Sequence, residues 1–262
     1  MAKKILMTLI LLLLAGSAGA VQEAPLDKTG NYFSQAGVIQ GGEITDGRDL
    51  RSIRWGRHPD FERIVLDIYK GAYQEKGPPA SVPCFFQVEY QYYPFRLIIT
   101  LGGIRARHAQ LGEFPGSELI HQAYMLPFLD DSGFKLALAL EGAVEYEVFE
   151  LHDPARIVID VRPYPPREDL PRVYSLRTET GFNFEELDYF KETATGSGSA
   201  NPRIIQAEDG QLFFEEGYYS EEARARERLE AIAPHFPEVS FFIEPREPRS
   251  IPAALSPVEE EF

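Results

Sequence analysis

The segment Arg63-Ile64-Val65-Leu66-Asp67-Ile68 recurs almost unchanged as Arg156-Ile157-Val158-Ile159-Asp160-Val161. In the first copy Ile64, Leu66 and Ile68 alternate with Arg63, Val65 and Asp67, the period of a strand with one buried face. A chain that spells the same strand twice is constrained toward a duplicated β unit. Val88-Glu89-Tyr90 followed by Arg96-Leu97-Ile98-Ile99 parallels Val144-Glu145-Tyr146 followed by Arg156-Ile157-Val158-Ile159, and Phe95-Arg96-Leu97 matches Phe134-Lys135-Leu136. The copies differ in loop length, which excludes a solenoid of fixed period. The expected fold is mainly β: a pseudo-symmetric two-sheet β sandwich, joined to a small C-terminal α+β unit.

Residues 1–20 have the layout of a secretory signal peptide. Lys3 and Lys4 precede an apolar run from Ile5 to Leu14, and Ala18 and Ala20 supply the small residues of a cleavage site. The run is too short for a membrane-crossing helix, which needs about 20 apolar residues. A periplasmic or secreted protein starting at Val21 is expected, with no stable membrane insertion after cleavage. The formal charge is −15, and residues 165–262 hold 21 acidic against 10 basic side chains. Such acidity opposes binding to nucleic acid or anionic lipid. The single cysteine, Cys84, flanked by Phe85 and Phe86, reads as a buried strand residue, and no intrachain disulfide is possible.

Residues 21–49 read as an N-terminal arm and 50–164 as the β domain, with strands near 84–93, 95–101, 134–140, 144–150 and 156–161. Residues 105–126 fit either a short helix or a long loop. Pro163, Pro165, Pro166 and Pro171 end the sheet pattern, and 165–202 reads as a Pro-rich and Gly/Ser linker. Residues 203–247 form a strand-helix-strand unit, its helix near 221–233 after Ser220 as N-cap and before Pro234. A disordered acidic tail is expected over 248–262.

No HExxH motif, Gly-x-Ser-x-Gly elbow or phosphate-cradling glycine loop occurs, and the five histidines are scattered. The expectation is a non-enzyme with no cofactor and no metal.

The paired signatures, with Gly56-Arg57-His58-Pro59-Asp60-Phe61-Glu62 leading into the first and His152-Asp153-Pro154-Ala155 into the second, make residues 50–164 resemble the AMIN and AMIN-like domains of bacterial envelope proteins. The resemblance implies a small two-sheet β domain that associates with peptidoglycan or targets an attached module to it. No amidase domain follows, and the interval between signatures exceeds a minimal unit. Residues 203–247 are similar to half of a SPOR domain, a glycan-binding module, through Phe214-Glu215-Glu216-Gly217-Tyr218-Tyr219-Ser220.

Peptidoglycan binding would use cations for carboxylates and an indole for sugar faces. Arg54, Trp55, Arg57 and His58 are the ligand-binding candidates, within a run that also holds Arg48 and Arg51. In a strand, arginines three apart fall on alternating faces, which makes a structural role the competing reading. Arg63, Asp67, Arg156 and Asp160 are expected to form structural pairs across strands. The alternative to glycan binding is an adaptor for an envelope protein, and an envelope hydrolase is a third possibility.

Overall fold

The computed structural model describes residues 25–72, 76–128, 131–164, 170–248 and 251–255. The expected signal peptide lies outside the described residues. The protein is mainly β, built from three sheets and two short helices.

Ten strands make two five-stranded sheets: β1 (Gly37–Gly41), β2 (Arg48–Arg57), β3 (Glu62–Lys70), β4 (Phe86–Gln91), β5 (Arg96–Gly102), β6 (Ile104–Arg107), β7 (Ile120–Met125), β8 (Gly133–Leu140), β9 (Val144–Leu151) and β10 (Arg156–Pro163). One sheet runs β1-β4-β5-β8-β7 and the other β6-β2-β3-β10-β9. The stretch expected as helix or loop holds two strands instead: β6, parallel to β2, and β7, antiparallel to β8. Each is short and carries polar or charged residues, so the alternation is too brief to read. The expected arm is likewise partly built into the fold. Its β1 forms an edge of the first sheet, and Phe33 bridges to Tyr146 of β9.

The two Arg-Ile-Val segments are neighbours in one sheet. β3 and β10 pair antiparallel with Val65 opposite Val158, Arg63 opposite Asp160 and Asp67 opposite Arg156. The repeat therefore creates a local two-fold relation centred between the two valines. β5 and β8 pair likewise, with Ile98 opposite Ala137. A second relation links the sheets. Exchanging β2, β3, β4 and β5 with β7, β8, β9 and β10 turns the order β2-β3-β10-β9 into β7-β8-β5-β4, the arrangement in the other sheet. The Val-Glu-Tyr correspondence follows this exchange, matching β4 with β9 and β5 with β10. One cluster of buried residues draws on both sheets: Ile64, Leu66, Ile157 and Ile159 from one, and Val88, Leu97, Ile99 and Leu136 from the other, all fully buried. Burial of each such side chain contributes about 1.5–3 kcal/mol.

The third sheet corrects the expected linker. β11 (Val173–Thr178) and α1 (Phe184–Gly196) fall inside 165–202, followed by β12 (Arg203–Gln206), β13 (Leu212–Tyr219), α2 (Glu222–Ile232) and β14 (Phe241–Arg246). The sheet order is β12-β13-β11-β14, all antiparallel. This is a βαββαβ unit of the split βαβ type. Asn183 caps α1 through a capping box with Glu186, and Gly196 and Ser197 end the helix rather than open a flexible linker. α2 starts after Glu221, not after Ser220, and makes no side-chain cap bond. Part of the expected disordered tail is packed: Pro252 is buried, and the carbonyls of Pro252 and Leu255 accept from the amides of Glu208 and Thr180.

The unit seats on the outer face of the first sheet. Ile98 of β5, Tyr124 of β7 and Ala137 of β8 share a buried cluster with Leu187, Phe190 and Ala194 of α1 and Ile204 of β12. The buried guanidinium of Arg203 reaches the turn between β4 and β5, donating to the carbonyls of Tyr92 at 2.6 Å and Tyr93 at 2.7 Å. Among the described residues no helix is long and apolar enough to cross a membrane.

Candidate functional site

The arginine run of β2 does not converge on one groove. Arg51 sits at a bulge between Leu50 and Ser52; bulges re-aim side chains, and this one shifts the alternation. Beyond it Trp55 opposes Ile64 and Arg57 opposes Glu62, on the side of the sheet that carries the buried residues, while Arg54 points the other way. Arg54 forks onto Asp67 at 2.6 and 2.7 Å. Arg57 contacts Glu118 at 3.0 Å and the carbonyl of Gly116 at 2.7 Å, and the Trp55 indole lies beside Gly116. Trp55 and Arg57 thus meet at one loop, and Arg54 leaves them. Exposed His58 stacks on Phe61 with centroids 4.4 Å apart. Arg51 binds Asp49 at 2.7 Å and lies over the Tyr69 ring. Carboxylates from the protein itself occupy Arg51, Arg54 and Arg57.

The repeat residues pair asymmetrically. Arg63 forks onto Asp160 at 2.6 and 2.8 Å, and Lys28 from the N-terminal segment adds a third bond at 2.7 Å. The mirror pair is not made: Asp67 takes Arg54 and Ser52, and Arg156 donates to the carbonyl of Pro154. Burial alone would raise both carboxyls. Hydrogen bonds from Arg63 and Lys28 to Asp160, and from Arg54 and Ser52 to Asp67, outweigh it and hold both below the ordinary carboxylate range.

His108 Nδ1 lies 2.9 Å from buried Asp49, but among the described residues no hydroxyl or thiol is bonded to that imidazole. Burial pushes the Cys84 thiol up to about 12, far from a thiolate. Among the described residues no group of three or more His, Cys, Asp or Glu side chains could hold a metal ion.

Sequence reasoning missed a cationic cleft of about 180 Å³ where the βαββαβ unit meets the first sheet. Its charged lining comes from Glu89, Arg96, Lys135, Lys191 and Arg203, and its side-chain amides from Gln91 and Asn201. The only signal in the sequence was Lys135 in an otherwise apolar strand, and it reads as an ordinary solvent-facing position.

Compared with protein-family models, characterised proteins and solved structures, the chain matches none. The AMIN and SPOR resemblances therefore rest on this chain's own residues.

Proposed function

We propose that this is a non-catalytic protein of the bacterial cell envelope, periplasmic or secreted, that binds peptidoglycan or positions a partner protein on it. The observation that carries the reading is the exchange relation between the two five-stranded sheets, which fits a pseudo-symmetric two-sheet sandwich of the AMIN-like kind. The βαββαβ unit adds support. Its two strand-helix-strand halves, β11-α1-β12 and β13-α2-β14, are the number a SPOR unit has, where the sequence alone offered one. The test is cosedimentation of the chain from Val21 onward with purified sacculi. Retention at low salt, reduced as salt screens the contacts, is expected; recovery wholly in the supernatant would remove the reading.

A second reading, an adaptor for an envelope protein without glycan binding, draws on β14. Among the described residues this edge strand pairs only with β11, and it carries half-exposed Phe241, Phe242 and Ile243, a profile suited to strand addition. Retention by an immobilised envelope-protein fraction, with no retention by sacculi, would favour it.

A further inference from the structure

The lining of the cleft between the first sheet and the βαββαβ unit carries more cations than carboxylates. Arg96 is 2% exposed, and a guanidinium at that depth ordinarily has a carboxylate partner. Here all its partners are neutral. Nε and Nη2 donate to the Gln91 side-chain oxygen at 3.0 and 2.7 Å, and Nη1 donates to the Tyr124 hydroxyl at 3.1 Å and the Ile204 carbonyl at 2.7 Å. Those four bonds leave one of five N–H groups free and the charge unmatched.

Lys135 and Lys191 are half-buried in the same cleft. Among the described residues neither forms an ion pair, and the Lys135 ammonium has only the Phe128 ring, 5.5 Å away. Arg203, the fourth cation, is matched by Glu215. Glu89 is the one carboxylate of the lining, and its nearest tie is a 2.7 Å bond from the Gln91 amide. Within the lining Arg96, Lys135 and Lys191 thus face one acid, in a chain whose net charge is −15. Asp188 and Glu192 of α1 lie in the adjoining depression, which Lys135 and Lys191 also line, and form no ion pair with either lysine among the described residues. Desolvation, with the Lys191 charge behind it, holds the Lys135 ammonium below the ordinary lysine range, which is independent support for crowding.

We propose that this cleft is the binding site for a small organic carboxylate, held by Lys135, Lys191 and the free N–H of Arg96. Its volume is close to that of an engineered cavity of roughly 150 Å³ that accepts benzene, so it takes the end group of a ligand and leaves the remainder in solvent. Ile98, Leu126, Pro127 and Ile204 give it apolar walls, which suits a carboxylate on a short carbon body. Inorganic phosphate has no carbon body to place against those walls, which favours the carboxylate over it. The proposal stands apart from the sacculus reading, since it concerns a soluble small anion and fails or holds on separate measurements.

The experiment titrates the chain from Val21 onward with N-acetylalanine, its neutral carboxamide twin and inorganic phosphate at low ionic strength, following side-chain amide resonances of Gln91 and Asn201. The expected result is saturable shifts with N-acetylalanine and none with the carboxamide. Lys135→Gln and Lys191→Gln together should weaken binding by about tenfold or more, and Glu89→Gln should strengthen it several-fold by removing the competing charge. Lys191 lies on the half-exposed side of α1, so Lys191→Gln alone supplies a folded variant if the double change disturbs packing. Failure of N-acetylalanine to saturate, equal binding of the carboxamide, unchanged affinity in the folded lysine variants, or tighter binding of phosphate would each overturn the assignment.

Discussion

Arg63 and Asp160 close a two-pronged ion pair across β3 and β10, at 2.6 and 2.8 Å, while Arg156 and Asp67 face each other at the mirror position without pairing. The backbone duplication is thus kept and the side-chain duplication abandoned on one side. The difference tracks burial: the Asp160 side chain is fully buried, the Asp67 side chain 14% exposed. Asp160 also anchors Lys28 and so ties the N-terminal segment onto the sheet.

Asp160→Asn should cost about 3 kcal/mol, because it leaves the Arg63 guanidinium and the Lys28 ammonium without their counter-charge. Asp67→Asn, against a more exposed Arg54, should cost about 1 kcal/mol. Urea denaturation of the two variants checks the ratio; equal costs would mean that the mirror pair is as strong as the one observed.

The same carboxylates set the acid limit. Their folded-state values lie below the unfolded value of about 3.9, so their contribution is fully present above that pH. It is lost as pH falls through the depressed values. Stability should therefore decline below about pH 4, and the decline should be shallower in Asp160→Asn. A pH series of thermal melts measures it.

The central strands were legible because their burial alternates residue by residue, as in Glu62–Lys70. What the alternation could not say was that the two copies pair with each other rather than occupying separate sheets. β11 escaped notice because Pro163 to Pro171 ends one sheet just before Val173 starts another. α1 carried readable signals, Asn183 with Glu186 at capping-box spacing and Leu187, Phe190 and Ala194 on one face, but Gly196 to Ser199 reads as linker by composition. The cationic cleft was not legible at all. Lys135 faces the outer side of its sheet, and only tertiary contact with α1 and β12 turns that side into a wall.

Arg54→Ala combined with Arg57→Ala tests whether the β2 arginines act as a site. They lie on opposite faces and bind separate carboxylates, so their effects should add. Each should cost about 1 kcal/mol or less, with sacculus cosedimentation unchanged. A loss of retention beyond the sum of the single changes would return these residues to the binding surface.

Lys135→Met should make the protein more stable and weaken its carboxylate binding several-fold. The ammonium faces Arg96 from β5, Lys191 and Asp188 from α1, Glu89 from β4 and Arg203 from β12, and burial together with the like charges depresses its folded-state value. Between that value and the unfolded one near 10.4, the unfolded chain binds more protons, so native stability rises as pH rises through this window. The methionine variant has no such proton to lose. It should exceed the unaltered protein by about 1 kcal/mol at neutral pH, and the gap should narrow as pH approaches 10. Carboxylate affinity of the unaltered protein should fall over the same window, because the ligand loses a cation. Melts and titrations at matched pH values check both curves, and a variant less stable than the unaltered protein at neutral pH would show that Lys135 serves packing rather than ligand.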